Sequence, residues 1–270
     1  MELVEEIENL AEKVLKKYST CLPVEPLEIA KKLTLKVLFE PYENYFRGNI
    51  LLLGREFYIL LNSEILKDIN YTGARYTLAH ELGHYFIKTH RDRIKKGEPL
   101  AFSGKEVNSE NKKIIEREAE QFAASLLMPR IKVINYFKNT KSRGFELVIG
   151  IKSFFNVSMT SAAIRYNRLN LTPSITVSWS LKGIIGKGVS EKFLELLNND
   201  YSLQIKINPD RPKYDEEEII NKESGIKYYR SITPLSSWVY DVPKGISNEI
   251  FLIEETLYYK HGNLTVLRPL

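Results

Sequence analysis

The chain has 270 residues, of which 43% are hydrophobic and 27% are charged. This composition is typical of folded globular proteins and excludes a largely disordered chain, and the length suffices for one large domain or several small ones. The formal net charge of +5 permits a nucleic acid or an acidic partner but is too small to indicate one. Cys21 is the only cysteine, which excludes an internal disulfide and a multi-thiolate zinc site. Any metal must therefore be held by histidine and carboxylate side chains.

No segment reaches the roughly 18 uninterrupted apolar residues that a membrane helix requires. The first residues, Met1–Glu6, are acidic, whereas a signal peptide begins with basic residues. The sequence therefore predicts a cytoplasmic protein without a membrane partner.

The first elements alternate between helical and extended patterns. Residues 2–18 carry apolar side chains at three-to-four-residue spacing and predict an amphipathic helix. A second helix is expected over Pro26–Leu33, because proline is tolerated in a first turn. Three short apolar runs then predict a small, largely antiparallel sheet with the last run available at its edge: Leu35–Tyr42, Asn49–Leu53 and Glu56–Leu61.

The rest of the chain predicts further helices and a mixed C-terminal part. Residues 144–169 are expected to form two helices around Asn156–Ser158, as in a helix-turn-helix segment, with Arg165 and Arg168 facing outward. The other predicted elements are helix Thr72–Lys88, an exposed polar loop over His90–Glu106, helix Ser109–Met128, strand Ile175–Leu181, helix Ser190–Leu197, a charged loop near Pro209–Glu218 and strand-like runs over Tyr228–Val266.

These elements predict an α+β fold with three parts. Residues 1–140 are expected to form a zincin-like domain with a small sheet and a metal-binding helix, and residues 141–171 the helix-turn-helix-like segment. Residues 172–270 are expected to form a mixed α/β domain. This part carries no ligand cluster and no glycine-rich phosphate loop, so a sensor, a docking domain and a stabilising accessory domain remain open as its role.

The segment His80-Glu81-Leu82-Gly83-His84 has the pattern of a catalytic zinc helix. Residues four apart lie on one helical face, so both histidines can reach one zinc ion at about 2.0–2.1 Å. Glu81 then lies beside the open coordination position, where it can act as general base toward a zinc-bound water.

A third protein ligand is needed, and two candidates compete. His90 has the spacing of the third metzincin histidine, but Ile87 stands where those enzymes use glycine for a sharp turn. On the second helix, Glu116 lies beside the apolar stripe and can bind zinc, while Glu120, one turn later, can hydrogen-bond a ligand histidine. Glu118 is expected to point away into solvent.

Two long motifs in order, residues 74–84 and residues 116–129, closely resemble the ImmA/IrrE family of metallopeptidases. The resemblance covers roughly residues 5–170. It implies a gluzincin-like site in which His80, His84 and Glu116 bind Zn²⁺ and Glu81 is the catalytic base. Glu120 departs from the family, which more often has Asn or Asp there. A longer acid still reaches a histidine, so Glu120 is expected to hydrogen-bond a ligand histidine without binding the metal.

The resemblance also implies a function. Family members are regulatory proteases that cleave a helix-turn-helix repressor of the Xre type, with roles in transcription regulation and stress response. The sequence therefore predicts a zinc endopeptidase whose partner is such a repressor. The alternative is a non-proteolytic DNA-binding regulator or antitoxin-like interaction protein that carries a zincin-like domain. Glu81 favours the enzyme, because a structural zinc site needs no base.

Overall fold

The computed structural model describes residues 2–19, 21–43, 46–98, 110–197, 206–207, 216–240 and 250–270. They form an α+β fold that divides into two compact units, Met1–Val133 with Phe154–Ser158, and Ile134–Ser153 with Met159–Leu270. The helix-turn-helix-like segment therefore groups mainly with the C-terminal residues. The three-part boundaries drawn from the sequence stay a prediction.

The first unit contains six helices and a three-stranded sheet among its described residues. They are α1 (Glu2–Tyr18), α2 (Pro26–Lys32), β1 (Lys36–Glu40), β2 (Gly48–Leu53), β3 (Glu56–Asn62), α3 (Ser63–Leu66), α4 (Thr72–Phe86), α5 (Lys88–Lys95) and α6 (Glu110–Leu127). A seventh helix, α7 (Arg130–Asn139), runs from the first unit into the second.

The small sheet differs from the expected one in strand order. Its order is β1-β3-β2, with β1 parallel and β2 antiparallel to β3, so the sheet is mixed. The run Glu56–Leu61 is therefore central, and the prediction that it forms an edge is wrong. Strand order is set by contacts between distant residues, which the local pattern of a strand does not encode.

Helix α4 is held in place from inside the first unit by Arg75. Its side chain is 4% exposed, and its guanidinium donates to the backbone carbonyls of Val24 and Asn156 and lies 3.3 Å from Glu25. Buried backbone carbonyls need such donors, and an arginine supplies several from one side chain. One residue thereby fixes α4 against two segments distant in sequence.

One sequence expectation near this helix needs correction. Residues 88–95 form α5, so His90 is helical and 1% exposed rather than part of an exposed loop. The remainder of the expected loop, from residue 99, lies outside the described residues, as does most of the charged loop near Pro209–Glu218.

The elements that follow α7 along the chain are α8 (Gly144–Phe155), α9 (Met159–Arg168), β4 (Ile175–Ser180), β5 (Gly183–Val189), α10 (Glu191–Leu196), β6 (Lys206–Ile207), β7 (Glu217–Ile220), β8 (Lys227–Pro234), α11 (Leu235–Trp238), β9 (Val239–Tyr240), β10 (Phe251–Tyr259) and β11 (Gly262–Pro269). The second unit is built on a six-stranded antiparallel sheet of order β5-β4-β11-β10-β8-β7. One face of the sheet buries an apolar core around Phe193, Trp238 and Leu252.

Helices α8 and α9 are bent by 113° at the break between them. That angle and a three-residue connection fit a helix-turn-helix. Arg165 is 1% exposed, however, so the expectation that it faces outward is wrong, whereas Arg168 is exposed. Among the described residues no single helix is long and apolar enough to cross a membrane, although α8 and α9 taken together pass the same length and composition test.

The start of α8 is fixed by a buried carboxylate from the sheet. Glu255 on β10 is fully buried and accepts from the Phe145 backbone N–H at 2.8 Å. Arg268 Nε lies 3.6 Å from this same carboxylate oxygen, and the other oxygen accepts from Arg230 at 2.9 Å. A carboxylate at a helix N-terminus satisfies an otherwise unpaired N–H, and its charge complements the helix dipole.

We expect Glu255→Gln to lower the free energy of unfolding by roughly 2–4 kcal/mol. This is somewhat less than the usual cost of breaking a fully buried ion pair, because Arg230 is partly exposed. Denaturant unfolding measures the change. The control is Glu218→Gln on the exposed strand β7, which should leave stability nearly unchanged. Equal effects from both variants would contradict a special role for the buried charge.

Candidate metal centre

Helices α4 and α6 pack closely because Gly83 has no side chain at their contact. A Cβ atom added to Gly83 would stand 3.2 Å from both Cα and the carbonyl oxygen of Ala119. Small residues on both helices let the two backbones approach, which larger side chains would prevent. The approach brings Glu116, one turn before Ala119, toward the histidines of α4.

The structure brings His80, His84 and Glu116 together, with one ligand atom from each lying within 4.8 Å of the others. The Nε2 atoms of the two histidines are 3.1 Å apart. His80 Nε2 lies 3.2 Å from one oxygen of Glu116, and His84 Nε2 lies 3.8 Å from the other. Three ligand atoms therefore converge from two helices.

The donor set and its spacing fit a divalent metal ion. Two atoms that each bind a tetrahedral zinc ion at about 2.0–2.1 Å stand roughly 3.3–3.4 Å apart, close to the separations in the cluster. Imidazole nitrogens with a carboxylate oxygen suit zinc and other late transition metals. The cluster is also accessible, because the side chain of His80 is 15% exposed and that of Glu116 is 34% exposed.

Glu81 is buried beside this cluster and next to the first residue of β2. It is 5% exposed, and a Cβ atom added to Gly48 would stand 2.8 Å from its Oε1. Burial raises the pKa of Glu81 to about 7, with the Glu116 charge adding to the effect and His80 opposing it. A carboxylate with a pKa near neutrality is suited to general acid and base chemistry. A bound cation would favour its ionised form.

The two histidines have opposite pKa shifts. Burial lowers the pKa of His80, but the hydrogen bond to Glu116 and the charges of Glu81, Glu116 and Glu120 outweigh it and raise that pKa above its usual value. Burial, together with the neighbouring His80 and His90, lowers the pKa of His84 well below its usual value. His84 is therefore neutral at pH 7, which is the form that binds a metal.

The sequence also pointed to Glu120, His90 and Glu118. Glu120 is exposed, and its charge helps to raise the pKa of His80. That Glu120 hydrogen-bonds a ligand histidine stays a prediction. His90 approaches the Nδ1 atom of His84, at 3.1 Å, rather than joining the Nε2 atoms. Glu118 lies 2.7 Å from His90 Nε2 with its side chain 15% exposed, so the expectation that it points into solvent is wrong.

Gly48 and the contact of Glu118 with His90 are the features that sequence reasoning missed. Each depends on the packing of elements distant in sequence, β2 on α4 and α5 on α6. The position of Glu118 between Glu116 and Glu120 is the one signal that could have drawn attention to it. Helical periodicity instead assigned Glu118 to the outer face of the helix, which is wrong.

We expect the purified protein to bind one zinc ion, or another divalent ion, per chain. Binding should be lost in His80→Ala and His84→Ala and kept in Glu81→Gln, because Glu81 is a base rather than a ligand. Glu116→Ala should weaken binding more than His90→Ala. Metal analysis and chelator competition measure these effects, and loss of the metal from Glu81→Gln would overturn the assignment of roles.

In the metal-free protein, Glu81 should make stability depend on pH. Its folded-state pKa of about 7 lies above the usual 4.5, so stability present at acidic pH is lost as the pH rises through 7. Glu81→Gln removes this loss. The metal-free variant should match the wild type near pH 4.5 and exceed its free energy of unfolding by on the order of 3 kcal/mol above pH 7. Denaturation with a chelator present measures both profiles, and parallel profiles would contradict the expectation.

Residues 56–167 match the family model Peptidase_M78, the IrrE N-terminal-like domain. No curated protein sequence matches the chain. Among solved structures, a Mycobacterium tuberculosis transcriptional regulator is similar over 98% of this chain and 76% of that chain, with a TM-score of 0.53 and 10% sequence identity, a likeness of fold alone. The residues that carry the cluster thus lie in an IrrE N-terminal-like domain, which supports membership of the ImmA/IrrE family.

Proposed function

We propose that this protein is a zinc-dependent endopeptidase that regulates transcription by cleaving a helix-turn-helix repressor of the Xre type. The convergence of His80, His84 and Glu116 beside the buried Glu81 is the observation that carries the proposal. A metal held by two histidines and one carboxylate, with a base next to it, is the arrangement of metallopeptidases that use Glu-assisted hydrolysis.

Each residue then has a definite task. His80, His84 and Glu116 would hold the metal, which would polarise a carbonyl and lower the pKa of water. Glu81 receives a proton from the attacking water and passes it to the leaving amine, so that a tetrahedral carbon can form and collapse to a carboxylate and a free amine. Burial of Glu81 supports this role because it keeps the carboxyl pKa near the working pH.

Strand β2 is the part of the sheet best placed to hold a substrate. Among the described residues it is an edge strand of the first unit, and its first residue, Gly48, adjoins Glu81. An extended segment of a substrate can pair with such an edge through backbone hydrogen bonds, which positions a scissile carbonyl without requiring a particular side chain. This role passes to β2 because β3, the strand first considered from the sequence, is central.

The choice of a repressor as substrate rests on the family resemblance. A folded repressor would bind through surfaces outside the cluster and deliver a flexible segment to the edge of β2. Selectivity would then come from docking, so that unfolded proteins in general are poor substrates.

The alternative, a DNA-binding regulator without protease activity, finds less support. In α9, Arg165 is buried and cannot reach a base edge or a phosphate, which leaves Arg168 as the exposed arginine of that helix. A recognition helix reads DNA through several exposed polar side chains. The buried Glu81 beside three converging ligands would also serve no purpose in a DNA-binding module.

We expect zinc-dependent cleavage of a cognate helix-turn-helix repressor, at one or a few bonds, with little cleavage of casein. Glu81→Gln should lower the rate by about 10²–10⁴-fold, as for loss of a general base. Gly48→Ala should also lower the rate, because its methyl group would collide with the side chains of Thr77 and Glu81 and so shift the Glu81 carboxylate. Mass spectrometry of the products identifies the bonds.

The control for this experiment is metal content, which should be the same in the wild type and in Glu81→Gln. Equal cleavage by these two proteins would show that the activity is a contaminant. No cleavage by the zinc-loaded wild type, together with specific binding of operator DNA, would favour the non-proteolytic alternative.

A further inference from the structure

A third histidine and a glutamate lie next to the candidate metal centre, on the Nδ1 side of His84. His90 on α5 is 1% exposed, and its Nδ1 lies 3.1 Å from the Nδ1 of His84. On its other side, His90 Nε2 lies 2.7 Å from Oε2 of Glu118 on α6, whose side chain is 15% exposed. A continuous line of hydrogen-bonding atoms therefore runs from Glu118 through His90 to His84.

The order of the hydrogen atoms along this line follows from the chemistry of its ends. A carboxylate only accepts hydrogen bonds, so the proton at the 2.7 Å contact must be on His90 Nε2. A neutral imidazole carries one such proton, which leaves His90 Nδ1 as an acceptor. The proton at the 3.1 Å contact then belongs to His84 Nδ1.

This order leaves the Nε2 atom of His84 without a proton. That atom is the one that faces His80 Nε2 at 3.1 Å and Glu116 at 3.8 Å. A ring nitrogen must present its lone pair in order to bind a metal, and its tautomer is fixed by the hydrogen bond that the other ring nitrogen makes. The line from Glu118 thus selects the tautomer of His84 that the metal requires.

We infer that His90 and Glu118 are positioning residues of the metal centre, which orient the ring of His84 and hold its proton on Nδ1. The inference rests on the proposed metal site and extends it to a pair that acts through His84 without touching the metal. In many metal sites a carboxylate accepts directly from a ligand histidine, whereas here a second histidine stands between them.

The backbone after α4 explains how His90 reaches this position. Helix α4 ends at Phe86, and Ile87 is extended with φ −68° and ψ 114° before α5 begins. Any residue can adopt these angles, so the change of direction needs no glycine. It returns the chain so that His90 lies against the Nδ1 side of His84, opposite to the atoms that converge with Glu116. His90 thereby supports a ligand instead of becoming one.

The first test measures zinc affinity by chelator competition at pH 7.5. His90→Ala should weaken binding by about 10- to 100-fold, the usual effect of removing a residue that supports a ligand histidine. Glu118→Gln, which keeps the size of the side chain, should also weaken zinc binding, but by less than His90→Ala. Asp92→Asn is the matched control, because it removes one negative charge from an exposed position on the same helix as His90 and should leave the affinity unchanged.

The second test observes the tautomers directly. The chain has four histidines, so long-range ¹H–¹⁵N spectra of the rings can be assigned by single substitution. We expect His90 to be neutral with its proton on Nε2, and His84 to carry its proton on Nδ1, both with zinc and after its removal. Glu118→Gln should increase the fraction of His90 with its proton on Nδ1, an effect that a purely structural role of Glu118 would not produce.

An unchanged zinc affinity in a folded His90→Ala protein would overturn the inference. So would spectra that show His90 as an imidazolium or with its proton on Nδ1 in the wild type. Should His90→Ala fail to fold, the affinity and the spectra of Glu118→Gln decide. If the tautomers are as predicted but the repressor is not cleaved, the proposed protease function is wrong and this inference stands. If the repressor is cleaved but zinc affinity is unchanged in both His90→Ala and Glu118→Gln, the protease function stands and this inference is wrong.

Discussion

The close approach of α4 and α6 is the constraint on which the candidate metal centre depends. Gly83 and Ala119 meet where a Cβ atom at Gly83 would already stand 3.2 Å from the neighbouring backbone. With a larger side chain there, the helices would separate, and Glu116 would move away from the Nε2 atoms of His80 and His84. The glycine inside the histidine motif therefore serves packing, and packing in turn sets the distances among the ligands.

The cluster is costly to build without a cation. Burial raises the pKa of Glu81 to about 7 and lowers that of His84, because it disfavours the charged form of each group. An apolar contact between the helices would stabilise the fold more. Buried ionisable groups with shifted pKa values are typical of functional sites, where the surroundings hold them in an arrangement that they would not adopt in water. His90 and Glu118 add two further buried or half-buried ionisable groups on the Nδ1 side of His84.

In the second unit, two charged side chains are buried. Glu255 is fully buried between Arg230 and the start of α8, so a charged residue of a strand fixes a helix. Arg165 of α9 is buried as well. The two helices keep the 113° bend of a helix-turn-helix, but one of the two arginines expected to face outward is buried. The geometry of a motif and its use are separate matters.

The sequence by itself determined the α+β class, most helices and the two ligand-bearing motifs, because helical periodicity is local and places His80 and His84 on one face. Only the tertiary structure decided that Glu116 meets them, that β3 is central, and that His90 lies behind His84. These outcomes depend on strand order, helix separation and the single extended residue Ile87. Such features follow from contacts between distant residues, which local spacing leaves open.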